Sequence, residues 1–381
     1  MNKIIVFSTD VYTDLDNIQR EHFKEIMFKI ISDGNKVVFT SRSSNKIESL
    51  RGIEILGKNN GVYFILKDKL KAVIKQKTGM YFIMVSNADT YLQLAANNKI
   101  LFVLPEWCKN LEQLPLKYGI KIESIDKFYK FISIIGNQNN WFYRLDLDDK
   151  TTILSLTNAN NRGAGYKENE MINEFREYLK KGNKKYYKAI LYHFLAAISN
   201  NKEFRDIKDW GIFPSSGINF NEDLNDFKEK ARKLMNGKKV DPILIRHKAT
   251  WKSHESKALG KDRLPSDRHF ETIIINPVYK NKLKDRVVCI FDDYLTNGTS
   301  FEATRNLLLH EGVKKIFFVS LGKFHKNRIE QYCMQNYIIK GNLYEPGYSY
   351  TLKDRKWFNG RFNYNAVTEI ESLYDILYEG K

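Results

Sequence analysis

Val287-Val288-Cys289-Ile290-Phe291-Asp292-Asp293-Tyr294-Leu295-Thr296-Asn297-Gly298-Thr299-Ser300 is the stretch on which the fold of this 381-residue chain turns. Val287 to Phe291 is a strongly apolar strand that runs into two acids and a short loop of hydroxyl, amide and glycine residues. Helical spacing then begins at Ser300 or Phe301 and continues to His310, with Gly312 placed to stop it. The chain therefore aims a strand at a helix N-terminus. Free backbone N–H groups converge there, and the helix dipole favours negative charge. Gly298 lets the backbone approach an anion closely and permits positive φ. The hydroxyls of Thr296, Thr299 and Ser300 can donate to phosphate oxygens. Asp292 and Asp293 are acceptors suited to two neighbouring sugar hydroxyls. The loop reads a 5′-phosphate on one side and a ribose diol on the other.

Outward from this loop, the pattern of apolar strands and helices repeats. Helical segments are expected at 168–181 and 184–200, and a short strand at Ile212-Phe213 precedes Pro214-Ser215-Ser216-Gly217. A helix over 222–235 leads to a strand at Pro242–Arg246, and Lys315–Leu321 is the strand after the loop. Residues from Lys340 onward are rich in aromatics and read as a closing extension. Two Asn-rich stretches, 137–140 and 158–161, flank a hairpin of Trp141–Leu147 and Thr152–Leu156, which suits a domain junction. Before it, strands at Ile4–Phe7, Val37–Thr40, Val62–Leu66, Tyr81–Val85 and Ile100–Leu104 alternate with helices at Arg20–Asp33, Lys69–Gln76 and Thr90–Asn97. Such alternation implies parallel pairing through right-handed crossovers. The expected fold is α/β in two domains, residues 1–140 and 150–381, each a mainly parallel sheet flanked by helices.

Composition narrows the partners. The net charge of +17 attracts phosphate in any form, and is matched equally by an abundantly lysine-rich, solvated surface. Cys108, Cys289 and Cys333 lie far apart and form no CxxC pair, so neither a disulfide framework nor a cysteine zinc site is readable. The amino terminus is too short and too soon polar for a signal peptide, and no apolar run is long enough to span a membrane. A cytoplasmic protein without a membrane partner is expected.

The loop string resembles the phosphoribosyl-pyrophosphate motif of type I phosphoribosyltransferases: apolar strand, Asp-Asp, two apolar residues, Thr-Thr-Gly-x-Thr. Asn297 replaces the second Thr and Ser300 the last, keeping its hydroxyl. The resemblance implies phosphoribosyl pyrophosphate or a nucleotide as ligand, magnesium as cofactor, and Asp292 and Asp293 as its indirect partners. It extends to Ser215, Ser216 and Gly217, placed where such enzymes hold pyrophosphate. Between Arg246 and Arg268 stand seven basic residues against three acids, among them Lys252 and Arg263. This stretch is similar to the mobile hood of competence-group amidophosphoribosyltransferase-like proteins, in which cations neutralise the leaving pyrophosphate; a basic surface loop is the alternative. His247, His254 and His269 suit no metal template.

The first half resembles the haloacid dehalogenase superfamily with its acids missing. Ile4-Ile5-Val6-Phe7-Ser8-Thr9-Asp10 offers Ser8 where that chemistry needs a carboxylate nucleophile, and Asp10 where it needs a general acid. Thr40 or Ser41 would be the phosphate-binding hydroxyl and Lys69 or Lys71 the lysine, while Asn87 and Tyr91 take the positions of magnesium acids. The resemblance implies a binding, docking or regulatory domain. Nine aromatics between Tyr344 and Tyr378, interleaved with Lys353, Arg355, Lys356 and Arg361, either stack single-stranded nucleic acid or pack a small cap. The expected function is magnesium-dependent phosphoribosyl transfer or handling of a phosphoribosyl nucleotide. The alternative is a non-catalytic nucleotide sensor or effector, of the kind found in bacterial stress and phage-defence clusters. A nucleic-acid or protein partner stays open.

Overall fold

The computed structural model describes residues 2–51, 61–77, 79–160, 169–170, 173, 185–217, 221–251, 260, 262, 264–324 and 331–378. It is an α/β protein built on two six-stranded sheets. The first sheet holds β1 (Lys3–Ser8), β2 (Lys36–Ser41), β3 (Val62–Leu66), β4 (Tyr81–Val85), β5 (Leu101–Pro105) and β6 (Ile120–Ile122). All its pairings are parallel, in the order β3-β2-β1-β4-β5-β6. Around it run α1 (Asp10–Thr13), α2 (Asn17–Ser32), α3 (Ser44–Arg51), α4 (Lys67–Gln76), α5 (Asp89–Asn98), α6 (Gln113–Tyr118) and α7 (Ile125–Ile134). The apolar runs force this arrangement: every residue of β1, β4 and β5 is buried, and such strands need cover on both faces. The strand order reverses between β1 and β4, which opens a crevice at their carboxyl ends.

The second sheet is mixed. Its members are β7 (Tyr143–Asp146), β8 (Thr151–Asn158), β9 (Asp209–Ile212), β12 (Val287–Leu295), β13 (Lys315–Lys323) and β16 (Arg361–Phe362), in the order β16-β7-β8-β13-β12-β9. The four strands β8, β13, β12 and β9 are parallel, while β7 and β16 continue the sheet antiparallel. Two small antiparallel pairs stand beside it, β10 (Leu244–Arg246) with β11 (Ile273–Ile275) and β14 (Tyr332–Lys340) with β15 (Ser349–Phe358). Its helices are α8 (Lys185–Asn200), α9 (Glu222–Leu234), α10 (Asp267–Phe270), α11 (Thr299–His310) and α12 (Asn365–Tyr378).

One apolar cluster runs from the first sheet to the second. It contains Phe7 and Phe128 at one end and Phe291 and Phe317 at the other, with Tyr186, Phe194 and Leu195 of α8 between them. A helix apolar on most of its surface belongs inside a core, and α8 is buried from Tyr186 to Ser199 except at Lys188, which is exposed. Its polar atoms are tied to the first sheet: the Tyr81 hydroxyl lies 2.9 Å from Ser199 Oγ, and the Lys121 N–H donates to the Tyr192 hydroxyl at 3.1 Å. The aromatic carboxyl-terminal stretch divides between the β14–β15 ribbon and α12. The latter is fastened by Glu369, which receives His193 Nε2 and the Asn139 amide.

The expected strands are present, but β12 and β13 both run beyond their apolar cores. Asp292 pairs with Ser320 and Leu295 with Lys323, so the two acids lie inside the strand rather than after it. The reason is mutual: each strand supplies the ladder that keeps its partner extended. The helix expected at 168–181 lies almost wholly outside the described residues. Among the described residues no helix is long and apolar enough to cross a membrane.

Candidate functional site

The carboxyl edge of the second sheet gathers most of the residues singled out from sequence. Gly298 is the N-cap of α11 with φ +87°, and the helix has no side-chain cap. Only glycine fits: a Cβ there would stand 2.2 Å from Cε2 of Tyr332. The N–H groups of Asn297 and Gly298 have no partner among the described residues, whereas the Asn297 carbonyl accepts from the Cys333 N–H at 3.0 Å. Thr296, Asn297, Thr299 and Ser300 are all half-buried. The loop therefore leaves two amides without a partner among the described residues while its Thr296 and Asn297 carbonyls are tied down.

Asp292 Oδ1 accepts from the Asp293 N–H at 2.9 Å, and Asp293 Oδ1 from the Tyr294 N–H at 2.7 Å. Neither carboxylate joins an ion pair among the described residues. Burial, and then the neighbouring Asp293 charge, push the Asp292 carboxyl well above the ordinary 3.8, with the Ser300 hydroxyl pulling back. Two adjoining acids without a direct ion pair among the described residues are a donor set that sugar hydroxyls or a hard cation would relieve.

Across from them, the Phe213 N–H donates to the Phe291 carbonyl at 2.7 Å, which starts the Pro214–Gly217 turn beside Asp292. Arg246 ends β10 and supports this turn. Its Nε donates to the Ser215 carbonyl at 2.5 Å, Nη2 to the Pro214 carbonyl at 3.2 Å, and Nη1 to Thr272 Oγ1. Burial, and then Arg268, lower its guanidinium to about 10, with Asp292 acting in the opposite direction. The Ser216 carbonyl accepts from the Thr250 N–H at 2.9 Å, and Gly217 is exposed. Arg268 stacks over Trp251 at 4.1 Å and places Nε 3.3 Å from His269 Nε2. His269 is buried and held neutral by its burial and by the two arginines. Lys252 and Arg263 lie outside the described residues.

Two supports beneath the loop escaped the reading of the sequence. Glu302 on α11 is fully buried and receives Arg305 Nη2 at 2.7 Å, the Tyr332 hydroxyl at 2.6 Å and the Gln335 N–H at 2.8 Å. An acid and a base three apart on an otherwise apolar helix face was the only available signal. The other is Lys323, whose partners come from three separate places in the chain.

The first sheet's edge is arranged differently. Ser8 Oγ, Thr40 Oγ1 and Asn87 Oδ1, at or just beyond the ends of β1, β2 and β4, are buried with no hydrogen-bond partner among the described residues. The inward lysine is Lys67; Lys69 and Lys71 are exposed on the outer side of α4. Lys67 lies 4.3 Å over the Tyr91 ring, and burial, then Arg42, lower its ammonium to about 8. Asp10 instead pairs with Lys46 at 2.8 Å, and Asp89 caps α6 by accepting from the Leu114 N–H at 2.9 Å. Among the described residues no group of three His, Cys, Asp or Glu side chains is placed to hold a metal.

Comparison with protein-family models, curated proteins and solved structures gave no match, so both edges are interpreted from their own residues.

Proposed function

We propose that the second sheet's edge binds a 5′-phosphoribosyl group, and that the protein is a magnesium-dependent phosphoribosyltransferase or a binder of phosphoribosyl nucleotides. One observation carries this reading. An uncapped helix start with two amides unpartnered among the described residues follows two carboxylates that form no ion pair there. The amides and the Thr299 and Ser300 hydroxyls suit a 5′-phosphate, and Asp292 and Asp293 suit the ribose diol. Magnesium, when bound with the ligand, would supply neutralising charge beside Asp292 and Asp293. The chain's own contribution is positioning and electrostatics: Arg246 holds the Pro214–Gly217 turn and sets positive charge opposite Asp292.

The non-catalytic sensor is favoured by one feature. Arg246 spends its donors on Pro214, Ser215 and Thr272, so it braces the turn and has little left for a leaving group. Calorimetry with phosphoribosyl pyrophosphate and magnesium tests binding, and Asp293→Asn with Thr296→Ala should remove it. Unchanged affinity in that double variant would sink the assignment. Release of pyrophosphate in the presence of nucleobases separates the transferase from the sensor.

A further inference from the structure

Lys323, the last residue of β13, is fully buried. Its ammonium donates to three backbone carbonyls, those of Thr296 at 2.6 Å, Gln331 at 2.9 Å and Phe324 at 3.0 Å. Three acceptors match the three N–H bonds of a protonated lysine, whereas a neutral amine has two. Among the described residues no carboxylate pairs with it, and the Tyr143 ring lies 5.3 Å away. A buried cation without a counter-ion is costly. One of its three carbonyls belongs to the ligand loop.

The peptide geometry gives that contact a direction. The described residues hold no cis peptide bond, so a Thr296 carbonyl turned toward Lys323 turns the Asn297 N–H the opposite way. That N–H is one of the two unpartnered amides of the loop. We propose that Lys323 is the positioning residue for the loop's anionic ligand: it aims the Asn297 amide at the phosphate and places a buried positive charge behind it. The proposal rests on the phosphoribosyl reading of this loop.

Protonation makes the role measurable. Burial lowers the Lys323 ammonium to about 7. The titratable groups on the elements around it are Asp292, Asp293 and Tyr294 on β12, Tyr143 on β7, Tyr332 on β14 and Glu302 on α11, and burial is the cause of the Lys323 shift. Burial raises Tyr143 and Tyr332, which stay neutral, and Glu302 is already paired with Arg305. At about pH 8 Lys323 is therefore largely neutral in the free protein, while a phosphate monoester is already a dianion. A dianion on the far side of the 296–297 peptide stabilises the ammonium, so binding draws a proton from solvent onto Nζ.

The full chain is titrated with ribose 5-phosphate by calorimetry, in two buffers of different ionisation heat. At about pH 8 the expected uptake is about half a proton per ligand, with affinity weakening about fourfold from about pH 7 to about pH 8.5. Lys323→Met should lose the uptake and most of the affinity, and Lys323→Arg should bind with no uptake. The wild-type measurement decides even if either variant fails to fold. Binding without proton uptake, or uptake that survives in Lys323→Met, overturns the role of Lys323 alone. No binding of ribose 5-phosphate at any pH overturns the phosphoribosyl reading, and this inference with it.

Discussion

At the end of β1, β2 and β4 the first sheet presents a serine, a threonine and an asparagine with unpartnered buried oxygens, beside Lys67. At the end of β12 the second sheet presents two adjoining carboxylates, with Arg246 set opposite them. Both edges grow from equally apolar parallel strands, so the strands do not explain the contrast. It arises from the few polar residues at or near the carboxyl end of each strand. The first edge keeps hydroxyls and a cation but turns its acids away, Asp10 to Lys46 and Asp89 to α6. The second keeps its acids in place and braces them from below through Glu302, Arg305 and Lys323. An edge can thus keep its scaffold while its charge, and with it the chemistry open to it, is exchanged.

Removing charge from the two edges should give very unequal results. Glu302→Ala leaves buried Arg305 with only Asp148 at 3.9 Å for a counter-ion, a loss of about 3–5 kcal/mol in urea unfolding. Asp10→Asn breaks only a solvent-exposed pair and should cost less than about 1 kcal/mol. Comparable losses would show that the first edge is braced as firmly as the second.

A smaller effect tests the unneutralised acids. The folded-state pKa of Asp292 is raised, so the folded protein holds a proton that the unfolded chain gives up. The associated stability is present at low pH and is lost as pH rises above the ordinary aspartate value of 3.8. Asp292→Asn should therefore raise the thermal midpoint by about 2 °C near neutral pH, with the gain fading toward about pH 4. A gain that does not change with pH would remove the electrostatic explanation.

The smallest effect belongs to the first edge. Thr40→Val replaces a buried hydroxyl that has no partner, and should stabilise the ligand-free protein by up to about 1 kcal/mol. A clear loss of stability in a thermal melt would mean that this hydroxyl is already satisfied, and would narrow the difference between the edges.

Much of this was legible in the residues. The apolar runs of β1, β4, β5 and β12 mark buried parallel strands, and Gly298 before a helix marks a positive-φ turn; both are local signals. Lys69 and Lys71 were the expected inward lysines, yet Lys67 is the buried one: α4 begins at the first residue after β3, and its first side chain lies over the Tyr91 ring. One or two residues of helix phase are beyond what periodicity resolves. Lys323 was invisible for another reason: its three partners are backbone carbonyls, which carry no sequence signature.

By itself the sequence determined the α/β class, the alternation of strands and helices, and the glycine turn between β12 and α11. Each follows from side-chain pattern over fewer than about twenty residues. Tertiary structure alone decided the strand orders, the core shared through α8, the burial of Arg246 under the Pro214–Gly217 turn, and the cation beneath Thr296. These depend on which distant segments are brought together and on how much water is left between them, and burial of that kind, more than residue type, sets the charge each group carries.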